Sequence, residues 1–204
     1  MRERFCWGID MRFLLLSLAA ALPTAAFAHT GAGDAGGFAR GLFHPLGGAD
    51  HVLAMVAVGL FAAQLRGRAL WLVPAAFVAT MAAGGALGAA GVAIPHVETG
   101  IALSVLVLGA AIAFGLSVPV AGAMMLVGFF AIFHGHAHGA EMPAAASGLA
   151  YGAGFILATA ALHAAGATFG LGLGRSQAPA ALRLRRAVGG GAALAGAGLL
   201  AGWI

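Results

Sequence analysis

The chain has 204 residues, of which 62% are hydrophobic and 8% are charged; ten basic against six acidic residues give a formal net charge of +4. Soluble domains carry about 25% charged residues, so this composition excludes an ordinary water-soluble domain and indicates an integral protein of the lipid bilayer. All ten basic residues are arginines. Without lysine the chain has no Walker A motif and hence no ATP site of that kind, and so few charges do not form a nucleic-acid-binding surface.

The N-terminal region predicts a secretory signal peptide. An arginine precedes an apolar run from 13 to 21, and a small-residue triplet ends at Ala28, as at a signal cleavage site. The run is shorter than the roughly 20 residues that a spanning helix needs. We therefore assign residues 1–28 to an N-terminal extension and cleaved signal peptide, and residues 29–37 to a flexible periplasmic leader.

The rest of the chain, residues 38–204, predicts a six-helix transmembrane transport domain. Small-residue spacings such as Gly84/Gly88 and Gly148/Gly152 favour close approach between helices. The fold class is therefore expected to be all-α, a polytopic membrane protein with six transmembrane helices. Each apolar segment is near the length that a span requires, and the six segments cover 38–65, 69–93, 97–117, 119–133 (running on into the histidines that follow), 146–173 and 186–204.

Two signals predict the same topology. Cleavage of the signal peptide leaves the mature N-terminus outside the cell membrane. Six of the seven arginines in the mature chain then lie in the cytoplasmic stretches 66–68 and 175–186, as the positive-inside rule requires for an even number of helices. Both mature termini are expected in the periplasm, and the protein is expected to be a multi-pass component of the bacterial inner membrane.

A first polar cluster contains His44, Asp50 and His51. In an unbroken helix the two histidines would lie about 10 Å apart along the axis, too far to share one ion. Pro45 and the two glycines that follow interrupt the helix, so we predict a broken helix that folds His44 back toward Asp50 and His51. An aspartate inside a span costs at least about 2.5 kcal/mol, so Asp50 needs a partner or a function.

A second polar cluster follows some 80 residues later. If it is helical, the spacing i, i+4, i+7 places His134, His138 and Glu141 on one face and His136 away from it. Imidazoles one turn apart chelate a borderline divalent ion, and a carboxylate can act as ligand or can orient one. The nitrogen and oxygen donors suit Ni²⁺, Co²⁺ or Zn²⁺ rather than Mg²⁺, Ca²⁺ or copper(I). The predicted metal-site residues are His44, Asp50, His51, His134, His138 and Glu141.

Four further residues are candidates for the metal path, each with an alternative interpretation. His29 would begin the mature chain and could capture metal through its α-amine, or lie on the surface. Glu98 could instead cap the third helix. His136 points away from the predicted face, and His163, alone in the fifth helix, could be a hydrogen-bonded core residue.

The two motifs resemble those of the HupE/UreJ family of hydrogenase- and urease-accessory nickel permeases. HPLGGADH at 44–51 matches the family pattern HPxxGxDH, and FHGHAHGAEMP at 133–143 matches FHGxAHGxE, in which His136 falls on a variable position. IPHVETGIALSVLVLG at 94–109 is similar too, and the likeness covers the whole mature chain. The resemblance implies a secondary transporter that imports nickel, or cobalt, for metalloenzyme maturation. It implies no enzyme activity and no prosthetic group; Ni²⁺ or Co²⁺ is the cargo, and a homo-oligomer is left open.

Two other functions remain open on the sequence alone. An intramembrane hydrolase could use Ser147 with a histidine such as His163, but these two are 16 residues apart, about 24 Å along one helix, and there is no HExxH motif for a zinc protease. A non-transporting, periplasmic-facing metal-binding membrane protein, such as a sensor or store, would use the same ligands as a permease. The two functions are distinguished by transport, because only a permease carries the metal across the membrane.

Overall fold

The computed structural model describes residues 33–142, 147–175 and 178–203, and these are helical apart from short connections. The predicted signal peptide and His29 lie outside the described residues. A 3₁₀ helix, His44–Leu46, follows the first α-helix. Seven α-helices are described: α1 (Gly33–Phe43), α2 (Ala49–Leu65), α3 (Ala69–Ala89), α4 (Val97–Phe114), α5 (Val120–Ala140), α6 (Gly148–Arg175) and α7 (Pro179–Leu200).

Four helices, α3 to α6, are long and apolar enough to cross a membrane. A fifth span is formed if α1 with the 3₁₀ helix is joined to α2, although the two parts are bent by 81° at the break. The remaining helix, α7, is not among these candidates, because three arginines lie in its first half. The protein is therefore a multi-pass membrane protein with four or five strongly apolar spans.

Two helices begin several residues earlier than predicted. The first helix begins at Gly33, inside the segment 29–37 that the sequence assigns to the leader. The last helix begins at Pro179 instead of 186, because proline is well suited to a first helical turn, where its missing N–H would have no partner anyway. The arginines of this region consequently lie on a helix and not in a loop.

Glycines bring α3 and α5 into backbone contact. A Cβ at Gly84 would collide with the carbonyl of Ile132, and one at Gly88 with that of His136, so the two helices run parallel. The predicted close approach at Gly84/Gly88 is thus confirmed, whereas a Cβ at Gly152 would meet nothing within 4 Å. On α5, a Cβ at Gly135 would collide with the carbonyl of Met81, and one at Gly139 with that of Gly85.

The helices α2 and α6 form a second parallel pair by the same means. A Cβ at Gly166 would collide with the carbonyl of Val56, and one at Gly170 would lie 2.7 Å from Cβ of Ala63, so the contacts advance in the same direction along both helices. The helices α4 and α7 pack in antiparallel fashion through Gly109 and Gly189. A continuous apolar cluster fills the Leu65 end of α2 and the Val120 end of α5, and the histidines lie toward the opposite ends of these helices.

Candidate metal centre

A broken helix positions His44. The 3₁₀ helix carries Pro45 in its first turn, and Gly48 is extended (φ −108°, ψ 120°) where α2 begins. Proline cannot donate the N–H that a continuous helix would use. A Cβ at Gly48 would lie 2.7 Å from Oδ1 of Asp50, so a glycine there leaves room for that side chain. The predicted break in the helix is confirmed.

The break places His44 against different partners from those predicted. The Nε2 atom of His44 lies 3.1 Å from Oε2 of Glu141, and the ring centroids of His44 and His138 are 4.8 Å apart. One donor atom from each of these three residues lies within 4.8 Å of the other two. Ligands of one transition-metal ion lie roughly 3–4 Å apart, so small side-chain movements would bring the three atoms onto a single ion. We call His44, His138 and Glu141 the outer group.

Asp50, His51 and His134 form an inner group. Oδ1 of Asp50 accepts hydrogen bonds from the backbone N–H and from the ring Nδ1–H of His51, at 2.8 and 2.9 Å. A carboxylate can only accept, so this contact places the proton on Nδ1 and leaves the lone pair on Nε2. That Nε2 is buried and has no hydrogen-bond partner among the described residues. The His51 ring centroid lies 4.9 Å from that of His134.

Ser104, which the sequence does not single out, orients His134. Its hydroxyl donates to the carbonyl of Ile101 at 2.6 Å, so its oxygen accepts the hydrogen bond from Nε2–H of His134 at 2.8 Å. The lone pair of His134 is then on Nδ1, which is buried without a partner in the described part of the chain. A single serine in an apolar helix carries no sequence signal, and only the fold brings it to a histidine 30 residues away.

His138 joins the outer and inner groups. Its ring centroid lies 4.8 Å from that of His44 and 4.1 Å from that of His51. Both of its ring nitrogens are buried, and within the described ranges neither has a hydrogen-bond partner. Leaving such a group unpaired costs about 1–3 kcal/mol, so a further ligand at this position would be favourable.

The cluster extends from the surface into the helix bundle. The side chain of Glu141 is 62% exposed and that of His44 is 34% exposed, whereas His134 is fully buried. The structure therefore brings all six predicted residues together but groups them differently: His44 lies with His138 and Glu141, and His134 lies with Asp50 and His51.

Comparison with known proteins agrees with the two histidine motifs. The family model described as HupE / UreJ protein matches residues 16–199 of the chain. The chain belongs to the HupE/UreJ family. It is 49% identical to Protein HupE of Rhizobium leguminosarum bv. viciae over 185 residues, which are 90% of this chain and 94% of that protein. No solved structure matches this HupE/UreJ protein.

Three further candidate residues of this HupE/UreJ protein that the structure describes lie outside the two groups. His136 faces away from the cluster and donates from Nε2 to the carbonyl of Val92 at 2.6 Å. Glu98 is exposed in the first turn of α4, where its charge is favourable at a helix N-terminus. His163 is buried in α6 and contacts Phe77, whose ring also contacts His134.

Proposed function

We propose that this protein is a secondary transporter that imports Ni²⁺, with Co²⁺ as the alternative cargo, for the maturation of hydrogenase or urease. Membership of the HupE/UreJ family supports this proposal. The observation that carries it is the continuous series of nitrogen and oxygen donors from the exposed Glu141 to the fully buried His134. Such donors suit a borderline divalent metal ion.

The outer group is suited to capture. Glu141 is an exposed carboxylate at the end of α5, and a negative charge at a site entrance attracts cations. His44 and His138 supply imidazole nitrogens within reach of that carboxylate. A hydrated ion can therefore exchange its waters for protein ligands one at a time.

The inner group is suited to receive the ion. His51 presents Nε2 and His134 presents Nδ1, each held in that tautomer by a hydrogen bond on its other nitrogen. His138 lies close to His44 and also to His51, so it can stay bound to the ion while the remaining ligands change. Asp50 supplies the negative charge that offsets part of the charge of the ion.

The wider architecture in this proposal has six spans, the sixth being α7, after a cleaved signal peptide. Both mature termini lie in the periplasm, and the protein resides in the bacterial inner membrane. The donor cluster then opens to the periplasm, and the apolar cluster at the Leu65 end of α2 closes the cytoplasmic side. Two arginines between α2 and α3, Arg66 and Arg68, support this orientation.

Uptake by reconstituted protein tests the proposal. Purified protein in liposomes should admit ⁶³Ni²⁺, and His51→Ala should reduce the initial rate at least about tenfold, because it removes a tautomer-oriented ligand. His136→Ala is the matched control, since that histidine faces away from the cluster. Equal uptake by the wild type, by His51→Ala and by empty liposomes would contradict transport.

The same liposomes test a non-transporting metal store, which the buried donors would also serve. A store binds Ni²⁺ on the outside of the vesicle without delivering it inside, so a chelator added outside removes all the label.

The Ser104–His134 contact does not favour a hydrolase. The hydroxyl proton of Ser104 is directed to the carbonyl of Ile101 and not to the imidazole, whereas an activated nucleophile gives its proton to its base. We accordingly propose that the protein is not an enzyme.

A further inference from the structure

His163 is a buried histidine outside the two groups. It is 2% exposed, and both of its ring nitrogens are buried without a hydrogen-bond partner among the described residues. An aliphatic side chain would fill the same space without the cost of about 1–3 kcal/mol that an unpaired polar group carries. A ligand bound to a ring nitrogen of His163 would remove this cost.

Phe77 contacts both His163 and the inner group. Its ring centroid lies 5.7 Å from that of His134 and 5.1 Å from that of His163, and the side chain is fully buried. Rotation about the two side-chain torsions of a phenylalanine can move such a ring without moving its helix. The ring of Phe77 thus contacts both the last imidazole of the cluster and the isolated one.

Thr159 adds an oxygen donor beside His163. The two residues are four positions apart on α6, so their side chains share one face of the helix. Thr159 is fully buried, and its hydroxyl lies 3.7 Å from the sulfur of Met81, a weak acceptor. The hydroxyl oxygen can exchange this partner for a stronger one at little cost.

A cavity leads away from His163. It measures about 580 Å³ and lies between α3 and α6. Its lining extends toward the start of α3 and the end of α6, where it includes Leu70, Trp71, Thr168 and Leu171. These are the helix ends next to the arginines, the cytoplasmic ends in the proposed topology. Apart from His163 and Thr168 the lining is almost entirely apolar, and an apolar cavity stays dry, so water would enter it only together with a charged ion.

We propose that His163, with Thr159, forms a second ion-binding station, which receives the divalent transition-metal ion from His134 when the ring of Phe77 moves aside. This inference rests on the proposed transport function. The ion exchanges His134 Nδ1 for a ring nitrogen of His163, keeps or regains water as its other ligands, and leaves along the cavity. His163 then acts after capture, and its removal should slow passage without weakening the first binding step.

Two measurements on the full-length protein separate these steps. In detergent, Ni²⁺ affinity by equilibrium dialysis should be within about threefold of wild type for His163→Leu, because the outer and inner groups are intact. In liposomes the initial rate of Ni²⁺ entry should fall at least about tenfold. His136→Leu is the matched control and should change neither quantity. Entry by His163→Leu at the wild-type rate, or equal loss of affinity and entry, would overturn the proposal.

A cysteine variant distinguishes metal binding at position 163 from a purely structural role of His163, because only metal binding there would make Ni²⁺ entry sensitive to Cd²⁺. In a Cys6→Ser background, His163→Cys places a thiolate at the second station, and thiolates favour softer ions. The experiment uses a Cd²⁺ concentration at which the wild type keeps more than half of its Ni²⁺ entry rate. At this concentration Ni²⁺ entry should be blocked in His163→Cys and should continue in His136→Cys. Equal Cd²⁺ sensitivity in both cysteine variants would overturn the proposal. Absence of Ni²⁺ entry in the wild type would instead contradict the transport function itself.

Discussion

The ring Nδ1 of His51 lies 2.9 Å from Oδ1 of Asp50, on adjacent residues in the first turn of α2. The backbone N–H of His51 donates to the same oxygen, so the carboxylate is held by two hydrogen bonds to one neighbour. This arrangement fixes both the tautomer and the ring orientation of His51. In the proposed transport site, Asp50 would therefore act on the metal through the orientation of His51 as well as through its own charge.

Asp50→Asn should reduce Ni²⁺ entry by about 10- to 100-fold, the range observed when a group that orients a metal-binding histidine is lost. The amide is neutral, and it holds the imidazole less firmly than the carboxylate does. Initial rates in liposomes measure the effect. Glu98→Gln, which neutralises an acid outside the cluster, should leave the rate unchanged; an equal loss in both variants would contradict the assigned role of Asp50.

Ser104→Ala should weaken Ni²⁺ binding about tenfold, because Nε2–H of His134 would lose its acceptor and the ring would no longer be held with Nδ1 toward the site. Equilibrium dialysis of the purified protein measures the affinity. Ser104→Thr keeps the hydroxyl and should restore most of the binding. A Ser104→Ala protein with wild-type affinity would show that this hydrogen bond does not orient His134.

Gly48→Ala should abolish most Ni²⁺ entry while the protein still folds. The backbone of Gly48, at φ −108° and ψ 120°, is open to any residue, but the new Cβ would lie 2.7 Å from Oδ1 of Asp50 and displace the Asp50–His51 pair. The control is Gly36→Ala, whose Cβ meets nothing within 4 Å. Size-exclusion profiles establish folding, and uptake equal to that of Gly36→Ala would refute the steric argument.

Gly135→Ala should lower the thermal unfolding temperature in detergent, at a cost of about 1–3 kcal/mol. Its Cβ would collide with the backbone carbonyl of Met81 and push α5 away from α3. Gly122→Ala is the matched control on the same helix, since its Cβ would meet nothing within 4 Å. Equal unfolding temperatures for the two variants would mean that the contact between α3 and α5 is not tight in solution.

Glu141→Gln should raise the apparent KM for Ni²⁺ entry severalfold and change the maximal rate little. The exposed carboxylate attracts the ion to the outer group, and this attraction falls with ionic strength. The variant should therefore also show a weaker dependence of entry on salt than the wild type. A lower maximal rate with an unchanged KM would assign Glu141 to a later step than capture.

The local features of the site could be predicted from the sequence. Pro45 and Gly48 indicate the broken helix, because proline lacks an N–H and glycine tolerates close neighbours. The spacing of His134 and His138 indicates a shared helical face, and α5 continues through Ala140 as this requires. These inferences depend only on residues a few positions apart.

The pairing between distant residues could not be predicted in the same way. His44 contacts Glu141, 97 positions along the chain, because α1 and α2 diverge by 81°, an angle that depends on packing. Ser104 meets His134 only because α4 and α5 are neighbours. The sequence does not predict the early start of α7, because its arginines are typical of a cytoplasmic loop, although charged residues are also compatible with a helix near a membrane surface.

The two parallel helix pairs have a mechanical consequence. Glycine contacts leave little space for sliding within α2/α6 or within α3/α5, so each pair is expected to move as one rigid body. His44, His51 and His163 belong to the side of α2/α6, whereas His134, His138 and Glu141 belong to that of α3/α5. An ion bound by residues from both sides would hold the two helix pairs together. Movement of one pair away from the other would weaken the bonds to the ion and loosen the packing around Phe77 at the same time.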